Sequence, residues 1–324
     1  MYAESDFIKF IESVFGSGTL SSRGTNFVIR CPNCDSSNKD KKKLSIRLID
    51  HVNHCWVCGW GSRSLLPLLI KHADQSSIHE YKTRFAEGKT FSDKEKTEED
   101  VFVPKLPRDF MLLAASLGTK DLTLRPLIKY CLSRGLTEQD LWKFCLGASK
   151  DYEYRGRVIM PSFDENGEIN FITARSINSI TSLKYLNSNI HKNEIIFNEI
   201  NLDFSKRITL VEGPFDLIKC VENSTCLLGS EVSEKSKLFD KLLHNETPVN
   251  LCLDSDMKQK SQNIARKLMS YKLDVRIVDL GDKKDPGEMS KRDLKKAVDA
   301  AKPWSWKSML ESRINSSIST SMKF

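Results

Sequence analysis

The chain has 324 residues, of which 40% are hydrophobic and 29% are charged. This composition is typical of a soluble globular protein, the length favours two domains, and no apolar run reaches the ~20 residues of a membrane span. The 50 Lys and Arg against 43 Asp and Glu give a formal net charge of +7. That excess mildly favours a polyanionic partner, although a solvated surface would also carry it.

The N-terminal segment MYAESDFIKFIESVFG has early acidic residues and no continuous apolar stretch, so it is not expected to be a secretory signal. Its residues Phe7, Phe10, Ile11 and Val14 fall at helical spacing, which predicts a short amphipathic helix. The nine cysteines are an odd number, and four of them form two close pairs. This usage favours metal binding in a reducing compartment over a disulfide framework, so we expect a cytoplasmic protein.

Two C-x2-C motifs, twenty residues apart, contain the cysteines Cys31, Cys34, Cys55 and Cys58. Each motif turns two thiolates toward one point, and the two together can close a tetrahedral zinc site that has no open position and is therefore structural. Leu44, Ile46 and Leu48 alternate with other residues, which predicts a strand of a zinc ribbon. His51 and His54 lie nearby, but four thiolates suffice, so each is expected to be a surface or strand histidine.

Basic residues around the cysteines could contact the phosphates of a nucleic acid, namely Arg30, Lys39, Lys41, Lys42, Lys43 and Arg47. Trp56 or Trp60 could stack on bases. The lysine run fits a solvated loop equally well. From Ala73 to about Lys105 the chain turns polar and charged with little apolar periodicity, which predicts a linker.

Strands and helices alternate in the last third of the chain. The predicted strands span 208–212, 225–228, 249–253 and 275–280, and the predicted helices span 216–222, 234–244 and 259–271. This alternation predicts a parallel sheet covered on both faces, and such sheets bind ligands beyond the carboxyl ends of their strands.

Acidic residues follow three of these strands. Glu212 ends the first strand, and Asp254 and Asp256 follow the third. The loop after the fourth strand adds the acids Asp282, Asp285 and Glu288. Each acid alone is typical of a loop or a helix start, but the ordered set indicates a site for hard cations such as magnesium, which would offset the charge repulsion. Asp216 is interpreted as a structural residue at the start of its helix.

The order E-G-x-x-D, D-x-D and a later acidic loop resembles the Toprim domain, which DnaG-type primases, topoisomerases and some nucleases share. The segments YRGRVIMPSFDENGEINFITARSI and KYLNS resemble the RNA polymerase core of DnaG-type primases. The resemblance runs from about residue 25 to about 290, with the linker unmatched. The compact length and the lack of a recognisable helicase module are most similar to the primases of T-even-type bacteriophages.

This resemblance implies an α/β fold (α+β overall), with an N-terminal zinc ribbon followed by a primase RNA polymerase core that contains a Toprim parallel-sheet subdomain. The implied segments are a zinc-ribbon DNA-binding domain (1–72), a charged linker (73–105), the N-terminal part of the polymerase core (106–205), the Toprim subdomain (206–302) and a polar C-terminal tail (303–324).

The resemblance also implies site residues. Glu212, Asp254 and Asp256 match the family's magnesium ligands, and Asp285 matches a further catalytic acid. The residues that match nucleotide- and template-binding positions are Arg155, Arg157, Arg175, Lys184, Tyr185 and Asn187. Without the family, the cations would be interpreted as surface charges and the tyrosine as core packing. Two departures are visible: Gly287 stands where many bacterial members have a second Asp, and four cysteines replace a set that often includes one histidine.

The resemblance implies a DNA primase that uses Mg²⁺ or Mn²⁺ and ribonucleoside triphosphates to make short RNA primers on single-stranded DNA, beside a hexameric replicative helicase. The alternatives are a metal-dependent Toprim nuclease and a non-catalytic zinc-ribbon DNA-binding protein. KYLNS argues against the nuclease, and the intact acids argue against the non-catalytic protein. A topoisomerase would need a separate large domain for its tyrosine nucleophile.

Overall fold

The computed structural model describes residues 2–21, 24–34, 43–86, 103–178, 180–181, 183–229, 231–281, 285–305 and 307. Four residues named above lie outside these ranges, namely Lys39, Lys41, Lys42 and Asp282, as does most of the predicted linker. The chain forms two compact units. The first comprises residues 1–101, 232–246 and 270–272, and the second comprises 102–231, 247–269 and 273–324. The five predicted segment boundaries remain predictions.

The α-helices, in chain order, are α1 (Glu4–Phe15), α2 (Leu66–His72), α3 (Gln75–Glu80), α4 (Leu124–Ser133), α5 (Glu138–Lys143), α6 (Pro214–Lys219), α7 (Lys237–His244), α8 (Lys258–Ser270) and α9 (Lys291–Asp299). The β-strands are β1 (Thr19–Leu20), β2 (Asn26–Ile29), β3 (Leu44–Arg47), β4 (Asn53–Cys55), β5 (Gly61–Ser62), β6 (Met111–Leu112), β7 (Gly147–Ala148), β8 (Arg157–Phe163), β9 (Ile169–Ser176), β10 (Tyr185–Asn187), β11 (Ile208–Val211), β12 (Ser224–Cys226), β13 (Val249–Leu251), β14 (Val275–Ile277) and β15 (Lys302–Pro303). Among the described residues, every helix is too short or too polar to cross a bilayer.

The first unit contains an antiparallel sheet of order β1-β2-β3-β4-β5. The predicted amphipathic helix is α1, which buries Phe7, Phe10 and Ile11. The predicted ribbon strand is β3, in which Leu44 and Ile46 are buried and the residues between them are only partly so, as the alternation requires. Both predictions are confirmed.

The position of His51 is a correction to the sequence interpretation. Its side chain is fully buried, not on the surface, and its backbone adopts a left-handed turn (φ 61°) rather than a strand. Its ring nitrogens hydrogen-bond the hydroxyl groups of Tyr81 at 2.9 Å and of Tyr2 at 2.7 Å. A buried imidazole requires such partners, and neither tyrosine is near it in sequence. His54 lies in β4, as expected of a strand histidine.

Helix α7 belongs to the first unit although it lies in the last third of the chain. The Ser64 hydroxyl, just before α2, hydrogen-bonds the buried carboxylate of Asp240 in α7. The Lys71 ammonium lies 4.4 Å from the centre of the Tyr271 ring, and the Tyr271 hydroxyl donates to Glu234 at 2.7 Å. Three segments distant in sequence therefore complete this unit.

The second unit contains an antiparallel sheet of order β10-β9-β8-β7-β6. Strands β8 and β9 form its longest pair, joined by a tight turn in which the Asp164 carboxylate accepts the N–H groups of Asn166 and Glu168, each at 2.9 Å. Strand β10 pairs with β9 so that Tyr185 lies opposite Arg175. The KYLNS segment is therefore placed beside the strand that carries Arg175.

The second sheet of this unit has the order β12-β11-β13-β14-β15. Strands β12, β11, β13 and β14 are parallel, as predicted, and β15 adds an antiparallel edge strand that the sequence did not reveal. The predicted alternation of strands and helices is confirmed, with most elements a few residues shorter than expected. One core joins the two sheets, since Met160 and Phe171 belong to the same buried cluster as Val211, Phe215 and Cys252. The predicted α/β architecture with a parallel sheet is therefore confirmed.

Candidate functional site

The carboxyl edge of the parallel sheet gathers the predicted acids. Glu212 directly follows β11, Asp254 follows β13 after two residues, and Asp285 closes the loop after β14. Strands β11, β13 and β14 are adjacent and in register, so their ends lie at one edge. Strand ends thus bring together acids that are up to 73 positions apart in sequence.

The environment of Asp254 reflects this convergence. Burial, followed by the nearby charges of Asp285, Glu212 and Asp256, raises the pKa of its carboxyl to about 6. Such an environment disfavours the ionised form unless a cation is close. Asp256 itself is exposed, so it lies at the rim of the cluster.

Two carboxylate oxygens of the cluster suit a cation. Within the described part of the chain, Glu212 Oε2 and Asp254 Oδ1 are buried and have no hydrogen-bond partner. A buried carboxylate oxygen without a donor is costly, and hard divalent cations such as Mg²⁺ prefer carboxylate oxygens as ligands. The residues present therefore fit a divalent cation on the side of the cluster formed by Glu212 and Asp254.

Asp216 combines two roles, of which the sequence indicated one. Its carboxylate Oδ2 accepts the N–H of Gly213 at 2.9 Å, which confirms a structural role at the start of α6. Burial, followed by the charges of Asp285 and Asp254, raises its pKa to about 7. Asp216 therefore also belongs to the acid cluster, which sequence reasoning missed because no local pattern indicates which way a helix-start acid points.

A lysine of the cluster was also missed. Lys260 lies in the first turn of α8, and its Nζ is 3.4 Å from Glu212 Oε1. Its side chain is mostly buried, so this ion pair is less screened than one at the surface. The only available signal was its position six residues after Asp254, too weak to separate it from the other lysines of α8.

The predicted basic residues are divided between buried and exposed positions. Arg175 is buried, its guanidinium donates to the Tyr185 hydroxyl at 2.8 Å, and it lies 4.8 Å from the centre of the Phe215 ring. Because Phe215 and Asp216 are adjacent in α6, this contact connects the antiparallel sheet to the acid cluster. Burial raises the pKa of Tyr185 to about 12, against the opposing effect of the Arg175 charge.

The other predicted basic and polar residues lie farther from this contact. The N–H groups on both terminal nitrogens of Arg157 donate to the Leu183 carbonyl at 3.1 Å, so part of its role is to hold the segment before β10. Arg155 and Lys184 are exposed. Asn187 accepts the Thr173 hydroxyl across the β9–β10 pair at 2.7 Å.

The four predicted cysteines of the first unit come together. The sulfur atoms of Cys31, Cys34, Cys55 and Cys58 all lie within 4.8 Å of one another. The Cys31–Cys58 pair is separated by 3.9 Å and the Cys34–Cys55 pair by 3.5 Å. Thiolates about 2.3 Å from a tetrahedral zinc would lie about 3.8 Å apart. The cluster therefore has the spacing of a closed four-thiolate metal site.

Near this cluster, only some of the residues predicted to contact nucleic acid are exposed and available. Trp56 is 75% exposed and Lys43 and Arg30 are exposed, so each is available for contact. Arg47, in contrast, forms an ion pair with Asp50 at 2.8 Å. Trp60 is only partly exposed, which leaves Trp56 as the stronger candidate for stacking.

No protein-family model matches the chain. A DNA primase of Listeria innocua is 21% identical to it over 337 residues. That alignment covers 83% of this chain and 52% of the primase, so the chain spans about half the length of the curated relative it matches. The predicted resemblance to primases is thereby confirmed at the level of sequence, and the resemblance to phage primases stays a prediction.

Solved primase structures are similar to the chain at low identity. The Aquifex aeolicus primase, comprising zinc-binding and RNA polymerase domains, has a TM-score of 0.48 and 19% identity, and the match covers 94% of this chain and 87% of that one. The RNA polymerase domain of Mycobacterium tuberculosis primase DnaG has a TM-score of 0.49 and 14% identity, with coverage of 59% and 80%. A DnaG primase catalytic domain bound to single-stranded DNA has a TM-score of 0.45 and 18% identity, with coverage of 58% and 75%.

Proposed function

We propose that the chain is a DNA primase, a DNA-templated RNA polymerase that makes short RNA primers on single-stranded DNA. The observation that carries the proposal is the carboxyl edge of the parallel sheet, where Glu212 and Asp254 present buried oxygens without partners. The sequence similarity to a bacterial DNA primase supports the same reading. Nucleotidyl transfer needs a place for divalent cations beside a place for phosphates, and the second unit offers both.

The acids would hold Mg²⁺ or Mn²⁺, with Glu212 and Asp254 as the central ligands, Asp285 as a further acid of the cluster and the exposed Asp256 at the rim. When bound, such a cation lowers the pKa of the attacking 3′-hydroxyl and neutralises charge on the triphosphate. The chain's own contribution is placement. The Arg175 guanidinium, fixed by Tyr185 and the Phe215 ring, would orient a phosphate next to the acids.

The template and the nucleotides would be held by the exposed cations of the antiparallel sheet. Arg155 and Lys184 are exposed and suit phosphate contacts. Arg157 and Asn187 would act mainly by fixing β9 and β10. The proposed substrates are ribonucleoside triphosphates and a single-stranded DNA template.

The four-cysteine cluster would hold a structural zinc ion. With the metal in place, the turn carrying the exposed Trp56 would be fixed, and its ring could stack on a template base. All nine cysteines are unpaired thiols, which fits work in a reducing compartment such as the cytoplasm. A hexameric replicative helicase is the proposed partner.

The test is primer synthesis. Single-stranded DNA of varied sequence, labelled ribonucleotides and Mg²⁺ or Mn²⁺ are expected to yield short RNA that alkali destroys. Asp254→Asn should abolish the product, whereas Asp299→Asn, at an exposed position of α9, should not. If the wild-type chain makes no RNA even with a helicase present, and cleaves the DNA instead, the nuclease alternative replaces this proposal.

A further inference from the structure

Two cations from distant helices meet at the acidic loop after β14. Lys219, at the end of α6, is 7% exposed, and its ammonium donates to the Gly287 carbonyl at 3.1 Å. The Arg134 guanidinium, at the end of α4, donates to the same oxygen at 3.5 Å. The Gly287 carbonyl oxygen thus accepts hydrogen bonds from two positively charged groups.

Two carboxylates also lie close to the same glycine. A Cβ atom built at Gly287 would lie 2.7 Å from Asp216 Oδ1, 3.2 Å from Asp285 Oδ1 and 3.2 Å from Arg134 Nη2. These distances leave no room for a side chain unless the surrounding groups shift. Two carboxylates and the Arg134 guanidinium therefore occupy the space that a side chain at position 287 would need, so a third acid cannot be placed there to complete a second cation site.

The carboxylates at this corner already have donors. Asp285 Oδ1 accepts the N–H of Gly287 at 2.7 Å, and Asp216 Oδ2 accepts the N–H of Gly213 at 2.9 Å. On the other side of the cluster, Glu212 Oε2 and Asp254 Oδ1 have none within the described chain. The two oxygens without a donor thus lie on the Glu212–Asp254 side, where Lys260 pairs with the other oxygen of Glu212, and two further protein cations lie on the Gly287 side.

Electrostatics favours this division. Burial, and next the charge of Arg134, lowers the pKa of Lys219, as expected for two neighbouring positive groups. A divalent cation brought to the same corner would be repelled by both positive groups. The Arg134 guanidinium also lies 6.0 Å from the centre of the Tyr130 ring.

We propose that Arg134 and Lys219 take the place of a second divalent cation, so that the site binds one Mg²⁺ or Mn²⁺ tightly, on the Glu212–Asp254 side. The inference rests on the proposed function, because it assigns to two side chains the neutralisation of phosphate charge that a second cation would provide. Their unused N–H groups are the donors available for a triphosphate.

Counting bound Mn²⁺ tests the inference without measuring activity. The full chain with its zinc is titrated with Mn²⁺, and the free ion is followed by electron paramagnetic resonance. The wild-type chain is expected to bind one Mn²⁺ tightly and Asp254→Asn none. Arg134→Gln should bind a second Mn²⁺ with an affinity about tenfold or more higher than that of any second Mn²⁺ bound by the wild-type chain. Arg134→Lys and Arg125→Gln, the latter exposed on the same helix, should keep a count of one.

Two Mn²⁺ ions of similar affinity in the wild-type chain would overturn the inference, and so would an unchanged second binding in Arg134→Gln. The wild-type count needs no variant to fold, so the test holds even if Arg134→Gln is unstable. Primer synthesis measured in parallel separates the two proposals. If the chain binds one Mn²⁺ but makes no RNA, the primase proposal is rejected and the single-cation site is kept. If the chain makes RNA but binds two Mn²⁺, the single-cation site is rejected and the primase proposal is kept.

Discussion

Replacing Asp216 by Asn should stabilise the protein at neutral pH and stabilise it much less at acid pH. Burial and the nearby acids raise the pKa of Asp216 from an ordinary 3.8 to about 7. The folded state thus binds this proton more tightly than the unfolded state. Ionising Asp216 in the folded state therefore lowers the free energy of unfolding. This decrease is absent below pH about 4 and grows until pH about 7. Asparagine carries no such charge and keeps an oxygen for the Gly213 N–H.

The size of the effect follows from the pKa. Raising a carboxyl pKa from 3.8 to about 7 corresponds to about 4 kcal/mol once the group is fully ionised, which is an upper bound because neighbouring groups relax. We therefore expect Asp216→Asn to increase the free energy of unfolding by about 2 to 4 kcal/mol at pH 8 and by about 1 kcal/mol or less at pH 4.5.

Urea denaturation followed by circular dichroism at both pH values measures this difference. The buffer should be freed of divalent cations on a resin rather than with a soluble chelator, so that zinc stays bound. Asp299→Asn, at an exposed position of α9, is the matched control and should change stability equally little at both pH values. A loss of stability in Asp216→Asn that is the same at pH 4.5 and pH 8 would refute the charge argument. Added Mg²⁺ should narrow the gap between wild type and variant, because a bound cation offsets the same repulsion.

Three further outcomes are expected. Stripping the metal from the four-cysteine cluster, or replacing Cys34 by Ser, should unfold the first unit and release one zinc per chain, measured with a colorimetric zinc indicator. Tyr185→Phe removes the hydroxyl that accepts from Arg175 and should lower kcat/KM for primer synthesis about 3- to 30-fold, whereas Tyr152→Phe, at an exposed position, should not. His51→Leu removes the hydrogen bonds to Tyr2 and Tyr81 and should destabilise the first unit by about 1 to 3 kcal/mol in thermal denaturation; an unchanged melting temperature would contradict this.

The parts of the fold that could be predicted are those with local signals. The apolar run that became β11 and the alternation in β3 need only neighbouring residues to be recognised, and both strands are present. Acids placed directly after parallel strands converge because strand ends share an edge, so Glu212 and Asp254 were predictable as a pair. Element ends were less predictable, since hydrogen-bond pairing stops before the apolar run does.

The parts that could not be predicted depend on pairs distant in sequence. Arg134 reaches Gly287 across 153 positions, and no pattern near either residue announces the contact. His51 has the local sequence of a surface turn, yet tyrosines 49 and 30 positions away bury it. Asp216 serves as a helix-start residue in any reading of its neighbours, and only the packing of α6 shows which acids it faces.

The discontinuous composition of the first unit has a consequence for biosynthesis. Its N-terminal residues leave the ribosome early, but α7, whose Asp240 accepts the Ser64 hydroxyl, is made about 160 residues after residue 86. At translation rates of about 5–20 residues per second, this is a delay of roughly 8 to 32 seconds. During that interval the nascent unit lacks a helix of its native fold, and early capture of a metal ion by the cysteines would already restrain the part of the chain that has emerged. A fragment that ends before residue 232 would keep that incomplete state permanently.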